Sequence, residues 1–82
     1  MSVSIREVDY DASSDILYLG FVANGKSNSY GDEPVDGIVV FADCDTDERK
    51  GLLVFDPKLH PAERMRDLHN LGYNIDLLPY LN

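Results

Sequence analysis

Three aspartates alternate along one short polar stretch, at Asp43, Asp45 and Asp47. Their spacing matches the first three ligand positions of a calcium-binding loop, in which carboxylate oxygens coordinate the ion. The rest of that pattern fails, because Glu48 stands where the loop needs glycine and Val54 where it needs a bidentate glutamate. The three aspartates are therefore candidates for weak divalent-metal binding only, and the favoured interpretation is a solvated hairpin turn.

A second group of carboxylates, Asp9, Asp11 and Asp15, brackets a predicted turn near the N-terminus. Paired carboxylates carry out general acid–base catalysis when one of them is desolvated and its pKa is raised. Nothing in the sequence indicates such a position, so turn capping by Asp11 and Asp15 is the favoured interpretation. A small divalent-metal-binding protein or hydrolase that uses these clustered aspartates is the alternative function.

The other reactive residue types form no recognised catalytic, cofactor or zinc motif. The two histidines, His60 and His69, are nine residues apart, and the single cysteine excludes a Cys-x-x-Cys pair. Cys44 lies between two aspartates, whose negative charge disfavours the reactive thiolate. No Gly-rich phosphate loop and no Gly-x-Ser-x-Gly elbow occurs. The sequence therefore predicts a non-enzymatic protein without a cofactor.

Length and charge restrict the kind of partner. The chain has 82 residues, which is enough for one domain, and its 7 Lys and Arg against 15 Asp and Glu give a net charge of −8. Binding to nucleic acid or to an anionic membrane surface requires clustered cations, so both are excluded as partners. The first residues contain no apolar signal segment and no apolar run approaches about 18 residues, so we expect a cytoplasmic protein.

The pattern of apolar residues predicts an α+β fold, in which an antiparallel meander sheet of four or five strands precedes one C-terminal helix packed on one face. The short connections leave no room for the crossovers that parallel strands need. The helix is expected over 61–71, with Pro61 in its first turn and Gly72 after its end. The apolar tail, 73–82, is expected to dock on the body. The predicted strands are about 3–10, 15–22, 26–30, 36–43 and 51–56.

Three local signals refine this picture. The apolar positions of the first strand change parity near Arg6 and Glu7, which predicts a β-bulge. Asn24-Gly25 predicts a hairpin turn after the second strand. The segment 31–34, which contains glycine and proline, is expected to end the third strand.

Three of the predicted strands are apolar on both faces, since 16–22, 38–42 and 52–55 contain no charged side chain. A half-exposed antiparallel strand would alternate apolar with polar residues. One helix of this length is only about 16 Å long and about 10 Å wide, so it covers one face of a small sheet. The second face needs another cover, either the tail or a second copy of the chain. The favoured interpretation is a homodimer.

Short motifs follow one another between residues 8 and 56: Val8-Asp9-Tyr10-Asp11, Asp15-Ile16-Leu17-Tyr18-Leu19, Gly37-Ile38-Val39-Val40 leading to Asp43-Cys44-Asp45, and Gly51-Leu52-Leu53-Val54. This succession resembles domain-of-unknown-function family 2283. The resemblance implies a small prokaryotic protein with a meander sheet, and it carries no established activity.

Two positions depart from that family's pattern. Glu48 stands in place of a glycine in the acidic turn, and Leu53 stands where the pattern usually has glutamate. If that glutamate faces solvent, Leu53 and Phe55 mark the outward face of the strand, while Leu52 and Val54 point toward the helix. We therefore expect Leu53 and Phe55 to lie in the dimer interface.

These observations predict a non-enzymatic, homodimeric protein-interaction module whose acidic surface binds a basic protein partner. The family resemblance adds one specific form of this function, an antitoxin-like partner of a basic protein.

Overall fold

Five strands form one antiparallel sheet, and one helix packs on one of its faces, which confirms the predicted α+β class. The computed structural model describes residues 4–24 and 26–81. Val3, Gly25 and Asn82, which the predicted first strand, turn and tail include, lie outside the described residues. The elements are β1 (Glu7–Asp11), β2 (Ile16–Gly20), β3 (Ser29–Val35), β4 (Ile38–Asp43), β5 (Arg49–Phe55), α1 (Pro61–Asn70) and a 3₁₀ turn (Leu78–Tyr80).

The strands are arranged in the order β1-β2-β5-β4-β3, so the predicted meander is wrong. β2, β5 and β4 are the three strands that are apolar on both faces, and together they occupy the centre of the sheet, where both faces are most easily buried. β3 is polar and contains Pro34, which cannot donate a ladder hydrogen bond, so β3 lies at an edge. The chain between β2 and β3 therefore crosses to the far edge instead of forming a hairpin.

β3 is also longer than predicted. It spans Ser29–Val35 and includes the segment 31–34 that was expected to end it. A register shift between Asp32 and Val35 accommodates the proline. Because β3 lies at the edge of the sheet, the N–H that proline lacks removes no hydrogen bond from the ladder.

The first strand begins with the irregularity that the change of parity predicts. The backbone N–H of Arg6 donates to the carbonyl of Gly20 at 2.7 Å, and Gly20 is also the register partner of Glu7. Two consecutive residues therefore oppose one, which is the arrangement of a β-bulge. Ile5 and Tyr10, on opposite parities, both pack against the core as a result.

One core lies between the sheet and α1. Leu68 of α1 and Leu77 of the tail are both fully buried in it. Tyr73, only 4% exposed, stacks on Phe21 with ring centroids 5.8 Å apart. The tail thus docks on the body as predicted, and it does so on the face that α1 covers. Among the described residues, no helix has the length and apolar character needed to cross a membrane.

Arg64 is a buried charged side chain that the sequence pattern did not reveal. It is 8% exposed, and its Nε donates to the backbone carbonyl of Phe55 at 2.6 Å. One of its terminal nitrogens donates to Glu63 at 3.1 Å. Gly37 has a φ of +94°, and a Cβ at this position would lie 2.8 Å from the guanidinium carbon. Arg64 therefore ties α1 to the end of β5 and to the turn before β4, with glycine providing the space.

We expect Arg64→Leu to lower the free energy of unfolding by about 2 kcal/mol, because the Phe55 carbonyl loses a charge-assisted donor. Arg66→Leu is the matched control, since the Arg66 side chain is 67% exposed and its ion-pair distances are 3.9 and 4.0 Å. That variant should change stability by less than about 0.5 kcal/mol. Urea unfolding measures both, and equal losses would contradict the anchoring role of Arg64.

Candidate interaction surface

The sheet face opposite α1, which we call the outer face, is apolar at its centre. Side chains alternate between the two faces along each strand, so the neighbours of the core residues point away from α1. Leu53 is the register partner of both Tyr18 and Val39, so these three side chains form one row across the central strands. The outer face consists of Ile16, Tyr18, Val39, Phe41, Leu53 and Phe55.

In the described part of the chain, neither α1 nor the tail covers the outer face. Leu77 lies in the core on the other side of the sheet, and with it the tail. Tyr18 is buried, whereas the other five side chains of the outer face are half-buried. The predicted two-faced sheet is therefore present, and the alternative in which the tail covers the second face is wrong.

Two glycines make room for the ring of Tyr18 on this face. A Cβ at Gly20 or Gly51 would lie 3.0 or 3.1 Å from the Tyr18 hydroxyl oxygen. The ring meets Phe41 edge-on with centroids 6.1 Å apart, a favourable aromatic arrangement. The ammonium group of Lys26 lies 4.4 Å from the ring centroid, where the aromatic face attracts a cation. Tyr18 is thus held firmly at the centre of the outer face.

The hydroxyl group of Tyr18 is buried, and the described residues offer it no hydrogen-bond partner. Burial raises the pKa of Tyr18, the carboxylate of Glu7 raises it further, and Lys50 acts in the opposite direction. The phenol therefore stays protonated at neutral pH, which does not suit a general base.

Carboxylates line one margin of the outer face. The outward side chains of β1, which are Glu7, Asp9 and Asp11, form a column that we call the acidic column. Their register partners in β2 lie on the outer face of the sheet. None of the ion pairs among the described residues involves this column. An apolar centre with a charged margin is the usual composition of a protein–protein interface.

The acidic turn between β4 and β5 does not bring its carboxylates together. Within residues 4–24 and 26–81, no three His, Cys, Asp or Glu side chains are arranged to hold a metal ion. The alternative function therefore has no preformed metal site in this turn. Each carboxylate has a different partner: Asp43 pairs with Lys50 at 2.9 Å, Asp45 accepts from Asn28 at 3.0 Å, and Asp47 accepts from Tyr30 at 2.7 Å.

Asp43 is the structural residue of this turn. Its carboxylate accepts hydrogen bonds from Lys50 and from the backbone amides of Asp45 and Thr46. The bond from Lys50, followed by those two amides, lowers the pKa of Asp43 to about 2. Asp43 is therefore ionised at neutral pH and far into the acidic range.

Asp15 joins two loops that are distant in sequence. Its carboxylate accepts hydrogen bonds from the hydroxyl of Tyr10 at 2.7 Å and from the amides of Lys58 and Leu59, both at 3.1 Å. Burial alone would raise the pKa of Asp15, but these three donors outweigh it and lower the pKa. Asp15 does not cap the backbone of its own turn as predicted, because the two amides that it binds lie 43 and 44 residues away and its local donor is the side chain of Tyr10.

Asp11, by contrast, caps the turn after β1 as predicted. It accepts both the hydroxyl of Ser13 at 2.7 Å and its amide at 3.1 Å. These bonds, together with those of Ser14, lower the pKa of Asp11. A general acid needs a raised pKa, so Asp11 and Asp15 lack the property that acid–base catalysis requires.

No family model, no curated protein and no solved structure matches this chain. The resemblance to domain-of-unknown-function family 2283 therefore remains a prediction from the sequence motifs.

The ion pair of Asp43 predicts a specific pH dependence. Because the folded pKa of about 2 lies below the ordinary 3.8, the pair stabilises the fold above the ordinary value and loses this effect as pH falls toward 2. In Asp43→Asn, the free energy of unfolding should therefore fall less steeply between pH 5 and 2 than in the unmodified protein. Urea unfolding across this range measures the slopes.

Asp45→Asn is the control for this measurement, since it removes a neighbouring carboxylate and leaves the pair between Asp43 and Lys50 in place. Its slope should follow that of the unmodified protein more closely than the slope of Asp43→Asn does. Equal slopes for Asp43→Asn and the unmodified protein would show that the pair contributes nothing.

Proposed function

We propose that this protein is a non-enzymatic protein-interaction module that forms a homodimer through its outer face and binds a basic protein with its acidic surface. The observation that carries the proposal is the apolar centre of the outer face, which neither α1 nor the tail covers within residues 4–24 and 26–81. Large contiguous apolar patches are rare on proteins that act as monomers.

The size of the sheet suits a small symmetric interface. Five strands spaced about 4.8 Å apart are roughly 24 Å wide, and strands of five to seven residues are roughly 17–24 Å long. Each copy would thus contribute on the order of 500 Å², and a pair about 1,000 Å², which is the lower bound for a specific interface. The area favours a homodimer of modest affinity.

Face-to-face packing of two sheets places the apolar rows in the centre and the charged margins at the rim, and it requires the Lys26 side chain, which lies over the Tyr18 ring, to move toward the carboxylates of that margin. Leu53 and its neighbours Tyr18 and Val39 would form the central row of the interface. Aligned sheets interdigitate such side chains over a layer about 10 Å thick. The acidic column would remain in contact with solvent, where its repulsion is screened by salt.

A basic partner follows from the charge of the chain. The net charge of −8 repels anionic ligands and attracts cationic ones. An antitoxin-like role beside a basic protein is one form that such binding takes, in line with the sequence resemblance. Catalysis is disfavoured because the pKa values of both Asp11 and Asp15 are lowered.

Leu53→Glu should dissociate the proposed dimer, because it would bury a carboxylate in the central apolar row of each copy. Size exclusion with light scattering should give twice the chain mass of 9.2 kDa for the unmodified protein at micromolar concentration, and 9.2 kDa for the variant.

The matched control is Leu78→Glu, which makes the same exchange at a residue that is 57% exposed in the tail, on the α1 side of the sheet. This variant should keep the mass of the unmodified protein. A dimer that survives Leu53→Glu would place the interface elsewhere, and a monomeric unmodified protein would refute self-association.

A further inference from the structure

The two edges of the sheet differ in how open they are. β3 contains Pro34 and a register shift, both of which hinder the addition of another strand. β1 has its bulge at Arg6 and Glu7, where the strand begins, and from Val8 to Asp11 it pairs with β2 without a register shift and contains no proline. An open, regular edge is a template on which an extended peptide can add as a further strand.

The hydrogen bonds that flank the β2–β5 ladder define which way the backbone of β2 points. The N–H of Phe21 donates to the carbonyl of Lys50, and the N–H of Asp56 donates to that of Asp15, both at 2.8 Å. Hydrogen-bonded and non-hydrogen-bonded pairs alternate along an antiparallel ladder. Between these two bonds, the backbone N–H and C=O groups of β2 therefore alternate in direction. Those of every second residue point to β5, and those of the residues in between, including Tyr18, point to β1.

The same alternation identifies the free groups of β1. Tyr18 is the register partner of Asp9, so Asp9 exchanges its backbone hydrogen bonds with β2. Its neighbours Val8 and Tyr10 therefore direct their N–H and C=O groups to the open edge. Val8 is also 47% exposed on the α1 side of the sheet, so an added strand could cover it.

A second copy of this chain is a poor occupant of this edge. In an antiparallel pair, side chains on the same face lie directly opposite each other, and like charges in such pairs are destabilising. Two β1 strands would place one acidic column opposite the other. A strand with lysine or arginine at every second position would instead form opposite-charge pairs with the column.

We propose that the open edge of β1 binds an extended, basic segment of a partner protein as a sixth strand of the sheet. Its lysine or arginine side chains lie beside the acidic column on the outer side, and its apolar side chains cover Val8 on the other. This inference rests on the basic partner of the proposed function and does not depend on the homodimer.

The probe is a blocked peptide of eight residues in which lysine and valine alternate, titrated into the labelled protein and followed by its amide NMR signals. The signals of Val8 and Tyr10 should shift most, and their amide exchange should slow. Val8→Pro removes a donor at the open edge and leaves the β1–β2 ladder intact, so binding should weaken by about tenfold or more. Val8→Thr, which keeps the amide, should bind like the unmodified protein.

Two charge variants test the same proposal without introducing a proline into the strand. Asp9→Lys should weaken binding by about tenfold or more, because it places like charges opposite each other. Asp32→Lys makes the same change in total charge on an exposed residue of the other edge strand, and it should reduce binding far less. Equal losses of peptide affinity in both variants would show that binding depends only on the total charge of the protein, and this would overturn the proposal.

Unchanged binding by Val8→Pro would also overturn the proposal. If that binding is in turn lost in Leu53→Glu, the peptide lies on the outer face instead. If Leu53→Glu is monomeric and still binds the peptide at β1, the edge proposal holds independently of the dimer. Absence of any peptide binding by the unmodified protein would refute strand addition while leaving the dimer untouched.

Discussion

Three central strands carry apolar side chains on both faces, while the described residues form one short α-helix with which to cover them. Leu17 and Leu19 of β2 are fully buried against α1 and the tail, and Ile16 and Tyr18 of the same strand point to the opposite side. The tail adds Leu77 to the face that is already covered. The outer face therefore keeps an apolar centre, and the proposed self-association follows from it.

The same constraint explains the order of the strands and the few polar anchors that connect them. Strands that are apolar on both faces gain most from a central position, which leaves the polar strands β1 and β3 at the edges. Arg64 then connects α1 to the end of β5, and Asp15 connects the β1–β2 turn to the loop before α1. One edge is closed by Pro34 and the other remains open beside a column of carboxylates.

The sequence was sufficient for the class of fold, the single helix, the docked tail, the bulge near Arg6 and the orientation of Leu53 and Phe55, because each of these depends on a local or periodic pattern. It was insufficient for the strand order, since nothing local shows that β2 pairs with β5 across about thirty residues. The roles of Arg64 and Asp15 were missed because each side chain binds backbone groups outside its own element, 9 residues away for Arg64 and 43 and 44 residues away for Asp15, and no local pattern marks such bonds. The dimer and its partner remain predictions.

Isotope-filtered NMR on a mixture of labelled and unlabelled protein can detect whether a second copy covers the outer face. If it does, intermolecular contacts should join the methyl groups of Leu53 in one copy to the outer-face side chains of the other. Intermolecular contacts confined to α1 or to the tail residue Leu78, or none at all at millimolar concentration, would contradict it.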